Sequence, residues 1–234
     1  MSLFALQGVS KTYGKDGSAV KALNSVNLEI PTGQFVVILG PSGSGKSTLL
    51  NILGGMDTPT SGTVLFNNCD ISHYSAHQLT DYRKKQIGFV FQSYNLLPDL
   101  TAQENVEFST EITRLPKEGA GRALSLVGLG ERLDHYPSEM SGGEQQRVSI
   151  ARSIAKQPAV LLCDEPTGAL DYKTGIKVLE VLHDVHTDGH TSVIVITHNQ
   201  DIARIADMVV YMRSGEIVKT ERNPNPQAPR DLKW

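Results

Sequence analysis

The chain has little of what marks secreted, membrane-spanning or nucleic-acid-binding proteins. Its 234 residues include two cysteines, Cys69 and Cys163, and their spacing fits neither a disulfide framework nor a metal site, which favours a reducing compartment. The apolar runs at 35–39, 160–163 and 193–196 are far shorter than the ~20 residues of a membrane helix. The N-terminus lacks a basic stretch followed by an apolar one, so we expect no secretion signal.

The charge of the chain also does not indicate a specialised class of protein. The net charge is −3, with 20% charged and 39% hydrophobic residues, which indicates a globular protein without a polybasic surface. Nucleic acid is therefore not an expected partner. A role at a membrane would have to come through a partner that carries the membrane-spanning segments.

The pattern of apolar residues predicts an α/β fold. The first third is typical of strands, with a loop at 16–18, and strands and helices alternate again after residue 158, which favours a parallel sheet. Between 93 and 157 two helix-start signals appear, Thr101 with Glu104 and Ser141 with Glu144, and we expect a helical subdomain inserted in the α/β core. The predicted domain is 1–222, and 223–234 is expected to form a flexible tail. The predicted strands are 3–13, 21–30, 34–39, 63–66, 87–91, 160–164, 192–197, 208–212 and 216–219, and the predicted helices are 46–53, 77–85, 174–186 and 200–206.

A glycine-rich loop follows the apolar run 34–39 and fits the pattern G-x-x-x-x-G-K-S of a phosphate-binding loop. Its glycines would let backbone N–H groups surround phosphates, Lys46 would reach the β and γ phosphates, and Ser47 would bind Mg²⁺. The alternative is an ordinary turn before a helix, which the strand before it and the Lys-Ser pair disfavour. The candidate nucleotide-binding residues of this segment are Gly40, Pro41, Ser42, Gly43, Ser44, Gly45, Lys46, Ser47 and Thr48.

Two carboxylates, Asp164 and Glu165, end a second apolar run at the edge where open α/β sheets bind ligands. Asp164 suits Mg²⁺ and Glu165 suits polarising an attacking water. His198 and Gln92 end two other predicted strands in the same manner; His198 would hold the γ phosphate and the water, and Gln92 would offer an oxygen to Mg²⁺. Tyr13 would stack on an adenine. A structural histidine, a surface glutamine and a sheet-edge tyrosine are the alternatives.

A second glycine pair lies in the segment 140–147, Met-Ser-Gly-Gly-Glu-Gln-Gln-Arg, which has the pattern of a helix start. Ser141 is a good N-cap and Glu144 completes a capping box, while Gly142 and Gly143 would let a phosphate approach the helix start. Taken alone, this is an ordinary capped helix.

In this order, these elements resemble the nucleotide-binding subunit of ABC transporters over almost the whole chain. Seven motifs of that family have counterparts here in the same order: the A-loop at Tyr13, Walker A at 40–47, the Q-loop at Gln92, the signature at 141–145, Walker B at 160–165, the D-loop at 169–171 and the H-switch at His198. The resemblance implies a P-loop NTPase core with a parallel sheet, an N-terminal antiparallel β subdomain and an inserted helical subdomain. Two departures, Met140 to Glu144 for Leu-Ser-Gly-Gly-Gln and Gly168 for Ser, keep the glycines and the capping chemistry.

The resemblance also implies a mechanism. Two copies would pack head to tail around two ATP molecules with Mg²⁺, each ATP lying between one copy's phosphate loop and the other copy's residues 141–144. Glu165 would be the general base, Gln92 and His198 would complete the catalytic set, and Asp171 would link the two sites. The helical subdomain and residues 93–100 would receive an integral-membrane permease at the cytoplasmic face of a bacterial membrane.

Within the family, residues 51–55, 91–98 and 164–171 look like the MacB/LolD group of peptide, antibiotic and lipoprotein transporters. Residues 133–139 differ from the stretch found in fused exporters, so a separate permease is expected. An FtsE-like ATPase that signals through a membrane partner without transport is the alternative. A third class, ABC ATPases of DNA repair or translation, is disfavoured because the sequence has no coiled-coil, zinc or paired-cassette insertion.

Overall fold

The computed structural model describes residues 2–14, 18–116, 118–189 and 191–233, which form two compact units. The first comprises the described residues of Met1–Arg83 and Ile194–Gln227, and the second those of Lys84–Val193 and Ala228–Trp234. Of the loop predicted at 16–18, positions 16 and 17 lie outside the described residues. Within the described ranges, no helix has the length and apolar character needed to cross a bilayer.

The first unit contains an antiparallel sheet with strand order β2-β1-β4-β5, which confirms the predicted N-terminal β subdomain. Its strands are β1 (Ser2–Tyr13), β2 (Val20–Pro31), β4 (Ser61–Phe66) and the two-residue β5 (Cys69–Asp70), which the sequence pattern missed. Helix α2 (Ala76–Gln86) begins in this unit and packs Tyr82 edge-on against Phe66, with ring centroids 5.1 Å apart.

Four further strands of the first unit adopt the order β10-β9-β3-β8. Strand β3 (Phe35–Leu39) pairs in parallel with β9 (Met208–Arg213), β10 (Glu216–Arg222) is antiparallel to β9, and β8 (Ser192–Thr197) crosses the boundary between the units. All residues of β3 and β8 are buried, as the apolar runs predicted. Helix α1 (Lys46–Leu53) has the predicted bounds, and a 3₁₀ helix, Gln200–Ile205, follows β8.

The second unit combines a parallel strand pair with helices. Strand β6 (Ile87–Val90) pairs with β7 (Val160–Asp164), and β7 ends at the first of the two predicted acids. Helices α3 (Ala102–Thr113), α4 (Glu118–Leu126) and α5 (Gly142–Ile154) pack on one another within the predicted helical subdomain, and α6 (Tyr172–Gly189) packs against α5. Both predicted capping boxes are present at the starts of α3 and α5. The domain bounds 1–222 and 93–157 stay predictions.

The segment expected to be a flexible tail makes specific contacts over its described part. In the first unit, the N–H groups of Asn223 and Gln227 donate to the carbonyls of Asp207 and Arg204. In the second, a 3₁₀ helix, Pro229–Asp231, precedes Leu232, which is 1% exposed and whose carbonyl accepts a hydrogen bond from the Tyr172 hydroxyl at 2.6 Å. The described part of the segment is thus packed within each unit, and its predicted flexibility stays a prediction.

Asn105 fixes the chain between β6 and α3. It is completely buried on α3, and its amide nitrogen donates to the carbonyls of Leu97, Leu100 and Thr101 at 2.9–3.0 Å. Its amide oxygen accepts from the Leu97 N–H at 2.8 Å. One side chain therefore provides hydrogen-bond partners for the backbone of an irregular segment, whose groups are not paired in a helix or a sheet.

We predict that Asn105→Ala lowers the free energy of unfolding by about 2–4 kcal/mol, because it removes a completely buried amide and its hydrogen bonds to the backbone of Leu97 and Leu100. Urea unfolding monitored by circular dichroism measures this loss. Gln103→Ala on the same helix, which removes only a side-chain pair with Glu107, should change stability by no more than about 0.5 kcal/mol. Equal effects of the two substitutions would contradict the role given to Asn105.

Candidate nucleotide site

The phosphate loop leaves β3 and ends at the start of α1, as the sequence predicts. Gly45, the N-cap of α1, has φ 99°, and a Cβ there would lie 2.5 Å from the Ala22 carbonyl oxygen, so no larger residue fits. No side chain caps the helix, which leaves its first N–H groups to a ligand. Exposed Pro41, Ser42 and Gly43 form the accessible rim of the loop.

Polar side chains of the loop are directed inward. The Lys46 ammonium is buried and donates to the carbonyls of Gly40 and Pro41 at 2.8 and 3.0 Å. The Ser44 hydroxyl is buried without a hydrogen-bond partner among the described residues, and Ser47 on the next turn is exposed. A buried cation, N–H groups and a hydroxyl around one loop provide the chemistry that phosphate oxygens require.

Two other predicted residues belong to the same unit. Tyr13, at the end of β1, is 42% exposed and donates its hydroxyl to the Asp57 carboxylate at 2.7 Å. His198 directly follows β8, the neighbour of β3, and is exposed. The first unit therefore contains the phosphate loop, the aromatic and the histidine at the ends of their strands.

The second glycine pair begins α5 with the predicted capping box. The Glu144 carboxylate accepts from the Ser141 N–H at 2.9 Å and the Ser141 hydroxyl at 2.8 Å, and the Glu144 N–H donates back to that hydroxyl. These hydrogen bonds from Ser141, with Arg132 beside the carboxylate, hold the pKa of Glu144 below its usual value. The capping carboxylate is thus ionised at neutral pH.

Gly143 permits close packing of α5 against α6. A Cβ at Gly143 would lie 2.0 Å from the Thr174 methyl group, and one at Gly142 would lie 2.7 Å from the Tyr94 hydroxyl. The helix start is thereby held between the segment after β6 and the start of α6, and only glycine at 143 allows this contact.

The two acids after β7 differ in backbone conformation. Asp164 ends the strand, whereas Glu165 has φ 46°, a left-handed conformation that is strained for a residue with a side chain. A Cβ placed on Gly168 would lie 3.1 Å from the Gln92 amide nitrogen and 3.4 Å from the Glu165 Cβ. Gln92 and Glu165 therefore both border Gly168, and their joint role in the site stays a prediction.

Asp171 caps α6 in the structure. Its carboxylate accepts from the Thr174 N–H at 3.2 Å, and hydrogen bonds from Thr174 lower its pKa. Asp171 is also exposed, so the cap leaves its outer edge accessible. The predicted role of this residue between two copies stays a prediction.

Sequence analysis missed two polar residues of α5 that support these loops. Gln146 is completely buried and donates to the carbonyls of Pro166 and Phe91. Arg152 donates to the carbonyls of Asn95 and Tyr94 at 2.6 and 3.1 Å. Both residues follow the signature on the same helix, and this was the one feature of the sequence that could have drawn attention to them. A polar residue in a helix is, however, usually on the surface, so the sequence alone does not reveal their role.

Comparison with known proteins agrees with this geometry. The sequence pattern of the ABC transporter family matches residues 23–168. The macrolide export ATP-binding/permease protein MacB of Brucella melitensis biotype 1 is 48% identical over 92% of this chain, and an uncharacterized ABC transporter ATP-binding protein of Thermotoga maritima is 48% identical over 93%. The match covers 94% of the Thermotoga protein but 34% of MacB, so the chain spans about a third of the first curated relatives.

Solved structures show the same fold. The ATP-binding cassette MJ0796, a protein of Methanocaldococcus jannaschii, was solved as a dimer in a post-hydrolysis state bound to ADP and Pi. That cassette has a TM-score of 0.86 and 41% identity, covering 94% of this chain and 98% of its own. The chain therefore belongs to the ABC transporter family, as an ATP-binding cassette with the α/β P-loop fold.

Proposed function

We propose that this ABC ATPase works as a head-to-tail dimer that hydrolyses two ATP molecules and thereby drives a membrane permease. The observation that carries the proposal is the presence of two separate helix starts suited to phosphate, at Gly45 of α1 and at Ser141 of α5. In the proposal each ATP is held by the first helix start of one copy and the second of the other. The dimeric MJ0796 cassette supports this arrangement.

In the proposed reaction, Glu165 accepts a proton from water as the water oxygen attacks the γ phosphorus. The bond from that phosphorus to the bridging oxygen breaks, and ADP and phosphate are released. Lys46 and the loop N–H groups neutralise charge on the phosphates, while His198 orients the γ phosphate and the water. The left-handed backbone of Glu165 is the kind of strained conformation that clusters at functional sites, which supports its assignment as base.

Magnesium would accompany the nucleotide. In the described ranges no group of three His, Cys, Asp or Glu side chains is arranged to hold a metal. The proposed protein ligands are the exposed Ser47 hydroxyl, the Gln92 amide oxygen and the Asp164 carboxylate, all of them the hard oxygen donors that Mg²⁺ prefers. Bound Mg²⁺ would neutralise charge on the β and γ phosphates.

An apolar surface on the second unit suits contact with a permease. Phe108 and Ile112 are each 49% exposed and lie one turn apart on α3, and Leu97, in the segment before that helix, is 39% exposed. Exposed apolar residues grouped in this way mark interaction surfaces. We propose that they receive a permease of the MacB/LolD type at the cytoplasmic face of the membrane, and the MacB relatives, named for macrolide export, favour transport over signalling alone.

Lys46→Ala should weaken ATP binding about 10- to 100-fold, because it removes the buried cation from the phosphate loop. Isothermal titration with ATP and Mg²⁺ measures the affinity. Lys177→Ala, a lysine of α6, serves as the charge-matched control and should bind as the wild type does. Unchanged binding by the Lys46 variant would refute its assignment.

Glu165→Gln should lower kcat by about 10²–10⁴-fold with ATP affinity retained, because the amide cannot accept the proton. The variant should also elute as a dimer in ATP, since the closed state would no longer be released. Steady-state kinetics and size-exclusion chromatography with light scattering measure both effects. A near-normal turnover would exclude Glu165 as base.

Phe108→Ser should reduce co-purification of the tagged chain with its membrane partner about 10-fold, since a central apolar contact is lost. Purification from native membranes in detergent, with the partner identified by mass spectrometry, provides the measurement. Leu126→Ser, which removes a still more exposed apolar side chain on α4, is the control and should leave the partner bound. Recovery of a permease supports transport, and equal losses in both variants would contradict the assigned surface.

A further inference from the structure

We infer that Asp57 and Lys11 are positioning residues that hold the Tyr13 ring in place for the nucleotide base. The inference rests on the proposed function, in which Tyr13 stacks on adenine. Both residues lie outside every motif that the sequence analysis singled out, yet all three side chains form one cluster beside the helix of the phosphate loop.

Hydrogen bonds fix the edge of the ring. The Tyr13 hydroxyl donates to one oxygen of Asp57 at 2.7 Å, and the Lys11 ammonium donates to the other at 2.5 Å. Lys11 also donates to the Thr58 carbonyl at 2.8 Å, and the Thr58 N–H donates to Asp57 at 2.7 Å. The carboxylate is thus held by three donors, and its position determines where the tyrosine hydroxyl lies.

The ammonium group also covers part of the ring. The Lys11 Nζ lies 5.0 Å from the Tyr13 ring centroid, within the range of a cation–π interaction. The ring is nevertheless 42% exposed, so it retains surface on which a planar base can stack. Lys11 and Asp57 together restrict the rotation of a side chain that would otherwise sample several rotamers in solvent.

The cluster joins the ring to the phosphate-binding helix. The N–H groups of Met56 and Asp57 both donate to the carbonyl of Asn51 in the last turn of α1, at 2.8 and 3.2 Å. The aromatic and the phosphate loop are therefore attached to the same helix, which sets the spacing between base and phosphates and prepares the site for a nucleotide of fixed length.

The charges in the cluster are stable around neutral pH. Partial burial opposes ionisation of Asp57, but the hydrogen bonds from Lys11 and Tyr13 outweigh it and lower the pKa of the carboxyl. Burial and the bond to Asp57 raise the pKa of Tyr13 above its usual value. The carboxylate stays ionised and the phenol protonated, so their hydrogen bond persists across the pH range of an ATPase assay.

A purely structural role is the alternative, and the chain provides a matched control for it. In the same unit, Tyr211 donates its hydroxyl to Glu221 at 2.9 Å, and Lys219 pairs with Glu221 and lies 5.6 Å from the Tyr211 ring centroid. This second tyrosine–carboxylate–lysine cluster joins β9 to β10 and includes none of the proposed site residues. Glu221→Gln therefore breaks the same kind of contact where no base is proposed to bind.

The test compares binding of ADP and of inorganic pyrophosphate to the full chain by isothermal titration with Mg²⁺. Asp57→Asn should weaken ADP binding about 3- to 10-fold and Lys11→Met about 2- to 5-fold, both without effect on pyrophosphate, which has no base. Tyr13→Phe, which removes the hydroxyl and leaves Asp57 intact, should weaken ADP binding as much as Asp57→Asn does. The double variant Tyr13→Phe/Asp57→Asn should bind ADP no more weakly than either single variant. In ATPase assays the Asp57 and Lys11 variants should raise KM with kcat unchanged.

Several results would overturn the inference. Wild-type ADP affinity in Asp57→Asn, alongside weakened ADP binding in Tyr13→Ala, would show that Tyr13 contacts the base without help from Asp57. Equal losses for ADP and pyrophosphate, or an equal loss in Glu221→Gln, would assign the cluster to stability alone. Unchanged ADP binding in Tyr13→Ala would show that Tyr13 does not contact the base, and the inference would then be wrong. The proposed ATPase function would still stand in that case, provided that Lys46→Ala loses nucleotide binding.

Discussion

The loops of the second unit depend on hydrogen-bond donors supplied by one helix, α5. Gln146, Arg152 and Ser153 donate to backbone carbonyls that lie on β6 or in the irregular segments after β6 and β7, namely those of Phe89, Phe91, Tyr94, Asn95 and Pro166. A backbone carbonyl removed from water must find a donor, and an irregular segment cannot supply one from its own ladder. Hydrogen bonds therefore connect the helix that begins with the signature to the segments after β6 and β7, which contain Gln92 and Glu165.

This arrangement also maintains unusual backbone conformations. Tyr94, Asn95 and Glu165 have φ values of 57°, 52° and 46°, which are unfavourable for residues with a Cβ. Such conformations persist only where the surroundings hold them, and the Arg152 guanidinium does so at the first two. The strain is found next to Gln92 and at the proposed base itself, where fixed side-chain direction is useful for catalysis.

The sequence predicted most of the fold because the decisive signals were local. Period and capping fixed the bounds of α1 and β7 and the starts of α3 and α5, and the glycine-rich loop lay where its strand and helix required. Contacts between distant residues gave no such signal. Lys11 and Asp57 are 46 residues apart and Arg152 and Asn95 are 57 apart, and nothing in either stretch distinguishes these side chains from solvated charges. The roles of the individual site residues stay predictions that the proposed variants address.

Arg152 also has a topological consequence. Its bonds to residues 94 and 95 bring together two distant points of the chain. The residues between these points, which include α3, α4 and most of α5, therefore form a loop closed at its base. The entropy of a closed loop changes only slowly with its length. Additional residues between α4 and α5 would therefore change the outer surface of this closed loop without moving its base.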